Sequence, residues 1–285
     1  MLEHSWLGEA LRAGSALIVI LYWGTAIGLA YFVWNWFKKQ FVALGLIVIA
    51  LAFGYLPLNI YQEKKAREEY VTAAWAHFNK LCKEKAGIKV YKTVKGVESV
   101  LITKPRPTVS DDERELFDQF WRGDQYGGIA ISNATDSLAF ELLASYGHSD
   151  SKTGVWRATK PPALQYLEGY KQDKDTQPQL VRYSRTKDGR LVSDSIDAPS
   201  STFNLDWDDI STNEDRKYWI AASHWKLRDR KSGEVVGERI GFAIESGFGS
   251  RAGQRRAWLF ATRPENTCPP IEQFNNQQFV RKIFE

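Results

Sequence analysis

Two long runs without a charged side chain lie near the start of this chain, and they constrain it more than any other feature. Ser15 to Phe37 and Phe41 to Tyr61 contain no Asp, Glu, Lys, Arg or His. A helix needs about 20 apolar residues to cross a bilayer core, and both runs reach that length. A cleaved leader fits the first run badly, because the run is too long, its basic flank is weak and a second run follows at once. Only Lys38, Lys39 and Gln40 separate the two. So short a link folds them into an antiparallel hairpin with both ends on one side of the membrane. Tyr31, Trp34 and Trp36 near the link, and Tyr55 and Tyr61 near the far end, suit the two interfaces. Pro57 falls near the end of the second span, where a neighbour can satisfy the carbonyl that proline frees.

Gly24 and Gly28 form a G-x-x-x-G step. Such a step serves either as a dimerisation face or as a close seam between packed helices. The simpler reading is helix packing inside the hairpin, near Gly45. The spans hold no ionisable group of the kind that marks proton or ion pathways, so they read as an anchor and not as a transporter.

The rest of the chain has a different character. Residues 62–285 carry all but three of the 38 lysines and arginines and all but two of the 34 acids. The balance argues against a nucleic-acid partner, which calls for a clustered basic excess. Eleven Trp, twelve Tyr and fifteen Phe supply enough apolar surface for a sizeable core and argue against disorder.

The side of the membrane rests on conflicting signals. Lys38 and Lys39 in the link favour a cytoplasmic loop with both termini outside, whereas Lys64, Lys65 and Arg67 after the second span favour the reverse. The two cysteines decide it. Cys82 and Cys268 bracket the soluble part, as a disulfide of an oxidising compartment would. Closing so long a loop is worth about 5 kcal/mol in the chain-entropy picture. The expected location is therefore a bacterial inner membrane, with both termini and the domain on the periplasmic side.

Residues 62–87 read as a juxtamembrane helix, with Ala66, Tyr70, Ala74, Phe78, Leu81 and Cys82 at helical steps. Gly87 stops it. Ile88–Val94 and Val97–Thr103 read as a hairpin around Lys95-Gly96. Ser110 and Glu113 make a capping box for a helix through Trp121. Residues 147–163 read as loop. Leu180–Arg185 and Arg190–Ile196 flank the turn pair Asp188-Gly189. Ser211–Tyr218 holds a short helix. The clearest hairpin alternates through Trp219–Leu227 and returns through Val236–Ile244 about Lys231-Ser232-Gly233. Ala257–Thr262 reads as a further strand beside it. The expected fold is thus α+β: a two-helix transmembrane hairpin over 1–61, with spans about 15–37 and 41–61, the helix over 62–87, and a soluble domain over 88–285 dominated by antiparallel strands. No alternating βαβ series is present.

Chemistry is sparsely signalled. None of His4, His77, His148 and His224 has a metal-ligand spacing partner, and C-x-x-C is absent. No cofactor and no metal is expected. His224 has Asp229 and Glu238 as nearby acids but reads as a polar strand residue. Asp206, Asp208 and Asp209 around Trp207 lack calcium-loop spacing and read as turn residues. Nothing resembles a catalytic set, so a non-enzymatic role is expected. The most distinctive segment is the glycine-rich, basic loop from Gly247 to Arg256. Its amides and Arg251, Arg255 and Arg256 could hold an anion, and Phe248 and Trp258 with these arginines would suit a protein partner. The leading expectation is a membrane-anchored extracytoplasmic interaction module, an accessory subunit or immunity-type inhibitor, able to form a homo-oligomer. A cytoplasmic sensor of an anionic, nucleotide-like ligand and an anchored envelope hydrolase are the alternatives.

Overall fold

The computed structural model describes residues 6–36, 39–104, 118–120, 138–139, 141–143, 146–149, 156–160, 164–171, 178–186, 190–252, 258, 261, 263–270 and 276–284. The chain divides into two compact units, Met1–Thr72 and Ala73–Glu285. Most of the expected helix after Ser110 falls outside the described residues; its described part, 118–120, is a turn and not helix.

The first unit is built from α1 (Trp6–Trp36) and most of α2 (Lys39–Lys85). Each is long and apolar enough to cross a membrane. Lys39 and Gln40, expected in the link, already belong to α2. The second uncharged run and the expected juxtamembrane helix are one continuous helix, with Pro57 inside it. Large apolar side chains point outward along the 17–36 stretch of α1 and the 44–61 stretch of α2. Ile20 is 69% exposed, Trp36 77% and Leu51 68%. Water would penalise this surface by roughly 1.5–3 kcal/mol for each such side chain that could have been buried. The contact between the helices is narrower than expected. A Cβ on Gly45 would stand 2.6 Å from Val33 Cγ1, so glycine is needed there. No described atom comes within 4 Å of a Cβ built on Gly24 or Gly28. Gly45 therefore lies at the seam, and among the described atoms nothing packs against Gly24 or Gly28.

In the second unit a mixed sheet is framed by helices. Its strands run in the order β1 (Gly87–Val90), β10 (Val235–Ile244), β9 (Ile220–Asp229), β8 (Phe203–Asp209), β2 (Ser99–Lys104), β5 (Tyr166–Lys171), β6 (Gln179–Arg185), β7 (Leu191–Ser195). A short β11 (Thr267–Cys268) also pairs with β10. Most neighbours are antiparallel, but β2 runs parallel to both β8 and β5. The sheet is therefore mixed, with the antiparallel neighbours that were expected to dominate it in the majority.

The expected hairpin around Lys95-Gly96 does not form. β1 pairs with β10 at one edge while β2 sits in the middle of the sheet. Val100, Leu101 and Ile102 are all buried. A run buried on both faces belongs at the centre of a sheet, and that demand overrides the local turn. Two further expectations are corrected. Tyr146–Ser149 (β3) and Trp156–Lys160 (β4) are a separate antiparallel pair where loop was expected. Trp258 and Ala261 lie in turns and not in a strand; β11 takes the place beside β10.

The large hairpin is as read, with β9 and β10 joined through Arg230–Glu234 and a bulge between Val235 and Gly237. Its inner face gives Trp225 and Leu227 to the main core, with Leu205 and Trp207 of β8, Val100 and Ile102 of β2 and Tyr183 of β6. A short helix, α3 (Asn276–Ile283), closes that core with Phe279, Val280 and Ile283. Alternation fails at the start of β9, where Ile220 and Ala222 on the outer face are buried too. The end of α2 covers them, through Ala74, Phe78 and Leu81. This second core explains the helical stripe of the 62–87 segment. Cys82 of α2 and Cys268 of β11 are joined as a disulfide, with Cα atoms 5.6 Å apart at a sequence separation of 186.

Candidate interaction site

Beyond the area covered by α2, the outer face of the sheet is polar and half-exposed. Asp206 and Asp208 alternate with buried Leu205 and Trp207 along β8, so they are strand residues and not the turn residues expected. Asp208 pairs with Lys226 at 2.5 Å and with Lys104 at 3.3 Å. The Lys226 hydrogen bond holds its carboxyl below the usual range. Asp206 accepts from Thr103 and lies 3.8 Å from Arg228. On the next strands Glu238 gathers Tyr91 Oη at 2.7 Å, His224 Nε2 at 2.9 Å and Lys89 Nζ at 3.2 Å. Burial lowers the His224 pKa against the pull of Glu238, so a neutral imidazole donates to the carboxylate at pH 7. Of the two acids near His224 in sequence, Glu238 is its partner. No serine or threonine hydroxyl hydrogen-bonds to His224 among the described residues. A nucleophile–base pair of the kind acyl transfer needs is not assembled there. Nor do three His, Cys, Asp or Glu side chains come together as a metal-binding set among the described residues.

The glycine-rich loop starts where β10 ends, and its geometry is set by Glu245. That side chain is fully buried. Its carboxylate accepts from the Gly247 N–H at 3.1 Å and from the Gly249 N–H at 2.9 Å. The Phe248 N–H donates to the Glu245 carbonyl and the Ser250 N–H to the Gly247 carbonyl. Four successive amides of the kind that line an anion nest thus already have acceptors within the chain.

In and beneath the loop lie three aromatic residues with left-handed backbones: Phe248 (φ 51°) within it, and Trp219 (φ 56°) and Trp258 (φ 64°). Such backbones cost of order 1–3 kcal/mol each and persist only where the surroundings hold them. Here the holding is visible. Gly249 (φ +72°) lies against the Trp219 ring, where a Cβ would be 2.3 Å from Cζ2. Trp219 and Trp258 rings stand 5.6 Å apart. Arg216, buried and paired with Asp209 at 2.7 Å, lies over Trp258. Phe248 packs on the core that α2 covers.

Of the loop residues singled out from sequence, Arg251 is exposed and Phe248 half-buried. Trp258 is fully buried, and its indole N–H donates to the Asp118 carbonyl. Its ring supports the loop from within and offers no surface to a partner. Arg255 and Arg256 lie outside the described residues. Sequence reasoning missed Glu245, although an acid two residues before a Gly-x-Gly turn is the signal that could have found it.

A second buried carboxylate was also missed. Glu168 on β5 is fully buried yet accepts from the Ser200 and Ser201 amides, the Ser200 hydroxyl and Arg182. Burial alone would raise its pKa; the Ser201, Arg182 and Ser200 hydrogen bonds win and hold it at about 2. It staples the 196–202 connection onto the sheet. Comparison with protein-family models, with curated protein sequences and with solved structures gave no match.

Proposed function

We propose that the chain is a membrane-anchored interaction module. Its two apolar helices cross the bacterial inner membrane as a hairpin. The Ala73–Glu285 unit lies on the periplasmic side and binds a protein or envelope ligand, as an accessory subunit or an immunity-type inhibitor would. The observation that carries this reading is the Glu245 clamp. A buried carboxylate and three left-handed aromatic backbones hold the 247–251 stretch of the loop, which carries the exposed Arg251. Rigid presentation lowers the ordering cost of binding, and arginine beside an aromatic is the usual chemistry of an interface centre.

The membrane reading draws on the exposed apolar surface of α1 and α2. The periplasmic side draws on the Cys82–Cys268 disulfide, since such bonds persist in oxidising compartments. A cytoplasmic anion sensor fits less well, because the Gly247 to Ser250 amides are already taken and the disulfide would be reduced there.

Two measurements test the proposal. A reporter fused at residue 285 is expected to be active outside the cytoplasm; activity only inside overturns the assignment of sides. A photo-crosslinking side chain at Arg251 in intact cells is expected to trap one discrete partner. A crosslink pattern no different from that at exposed Lys231 returns the loop to a plain connection.

A further inference from the structure

The sheet ends in two unlike edges. β1 is four residues long and carries the exposed Lys89 in its middle, the usual device for blunting an edge. β7 is the other end of the strand order and, among the described residues, pairs only with β6. It carries no lysine, no proline and no bulge, and Val192 to Ser195 are exposed.

The ladder fixes which groups of β7 are free. Thr186 N–H bonds the Arg190 carbonyl and Ile196 N–H bonds the Leu180 carbonyl. Hydrogen-bonded pairs alternate along an antiparallel ladder, so Val192 and Asp194 direct their main-chain groups to β6. The N–H and C=O groups of Leu191, Ser193 and Ser195 point to the open side. An edge of this kind takes an extended strand.

We infer that the β7 edge is a self-association surface that pairs antiparallel with β7 of a second copy, centred on Ser193. That register brings Ser193 opposite its own copy and Leu191 opposite Ser195, so every outward main-chain group finds a partner. Val192 then faces Asp194 of the other strand, and the two Asp194 carboxylates are never opposite each other. The small Ser193 side chains meet at the two-fold axis without a clash. Because the β1 edge is blunted, the sheets join once and the assembly closes as a two-fold dimer, not a fibre. This association needs neither the glycine-rich loop nor a particular side of the membrane.

The test uses the full chain in lipid nanodiscs loaded with detergent-solubilised protein at its natural oligomeric state. Ser193→Cys is expected to cross-link into a dimer under mild oxidant, because opposed residues in a hydrogen-bonded pair stand about 5.5 Å apart at Cα. Asp194→Cys is offset from its own copy by two positions, beyond the roughly 7 Å that a disulfide can span, and is expected to stay monomeric on the gel. Ser193→Pro removes only an outward N–H, leaves the β6 ladder intact and is expected to abolish the dimer. No Ser193→Cys cross-link, equal cross-linking of Asp194→Cys, or a dimer that survives Ser193→Pro overturns the inference. The last result would move the contact to the helices.

Discussion

The Tyr22 hydroxyl donates to the Phe53 carbonyl at 2.6 Å, and that oxygen is the one Pro57 leaves without a helical donor. A proline has no N–H to give to the residue four positions back. In the bilayer proposed for these helices no water replaces it. The two rings also meet, with centroids 5.1 Å apart. Tyr22 thus repairs the one break in α2 and fixes the register of the two helices.

Tyr22→Phe should therefore destabilise the hairpin by about 1 kcal/mol, in the range of interhelical hydrogen bonds in membranes. The cost should largely vanish in a Pro57→Ala background, where residue 57 again donates to Phe53. A double-mutant cycle on unfolding in micelles reads the coupling. Equal cost in both backgrounds would sink this account.

Cys82→Ser should lower the stability of the Ala73–Glu285 unit by about 5 kcal/mol in the chain-entropy picture, given the 186-residue separation. It should also slow migration on non-reducing gels. Thermal unfolding with and without reductant checks this: wild type under reductant should match the mutant.

These features differ in how openly the sequence carries them. The apolar helices were legible because an uncharged run needs no knowledge of the rest of the fold. The β9–β10 hairpin was legible because its turn and alternation are local. Ile220 and Ala222 were not, because their burial depends on Ala74 and Phe78 arriving from α2. β2 was misplaced for a similar reason. A turn signal at Lys95-Gly96 is local, whereas the two parallel neighbours of β2 come from far along the chain. Asp206 and Asp208 masked a strand, because their counter-charges Lys104, Lys226 and Arg228 lie on other strands. In the candidate site, Arg251 and Phe248 were visible as composition. The Glu245 carboxylate that shapes the loop was not, because its role exists only once the loop has closed over it.

Gly249→Ala tests that closure directly. A left-handed backbone costs an L residue about 1–2 kcal/mol, and the new methyl would meet Trp219 at 2.3 Å. Chemical denaturation should show a loss of roughly 2–4 kcal/mol, since overpacking a rigid site adds to the backbone cost. Gly233→Ala, at a similar φ of +74° but with nothing within 4 Å, should lose only the backbone share. Equal losses at the two sites would mean that Trp219 yields freely.

Glu168 gives the domain an acid-sensitive staple. Its folded pKa is about 2 against an ordinary 4.5. A depressed carboxylate stabilises the fold at every pH above its unfolded value, and that contribution fades as pH falls toward the folded value. The difference is on the order of 3 kcal/mol, at 1.36 kcal/mol per pKa unit. Stability should thus be flat in this group above pH 5 and decline from pH 4.5 to pH 2. Glu168→Gln keeps the shape but removes the charge that Arg182 and the Ser200 and Ser201 amides engage. It should be less stable than wild type at pH 7, and the gap should close near pH 2. Urea midpoints for the two proteins across pH 2–7 measure this. Parallel curves that never converge would mean that the carboxylate charge is not what holds the staple.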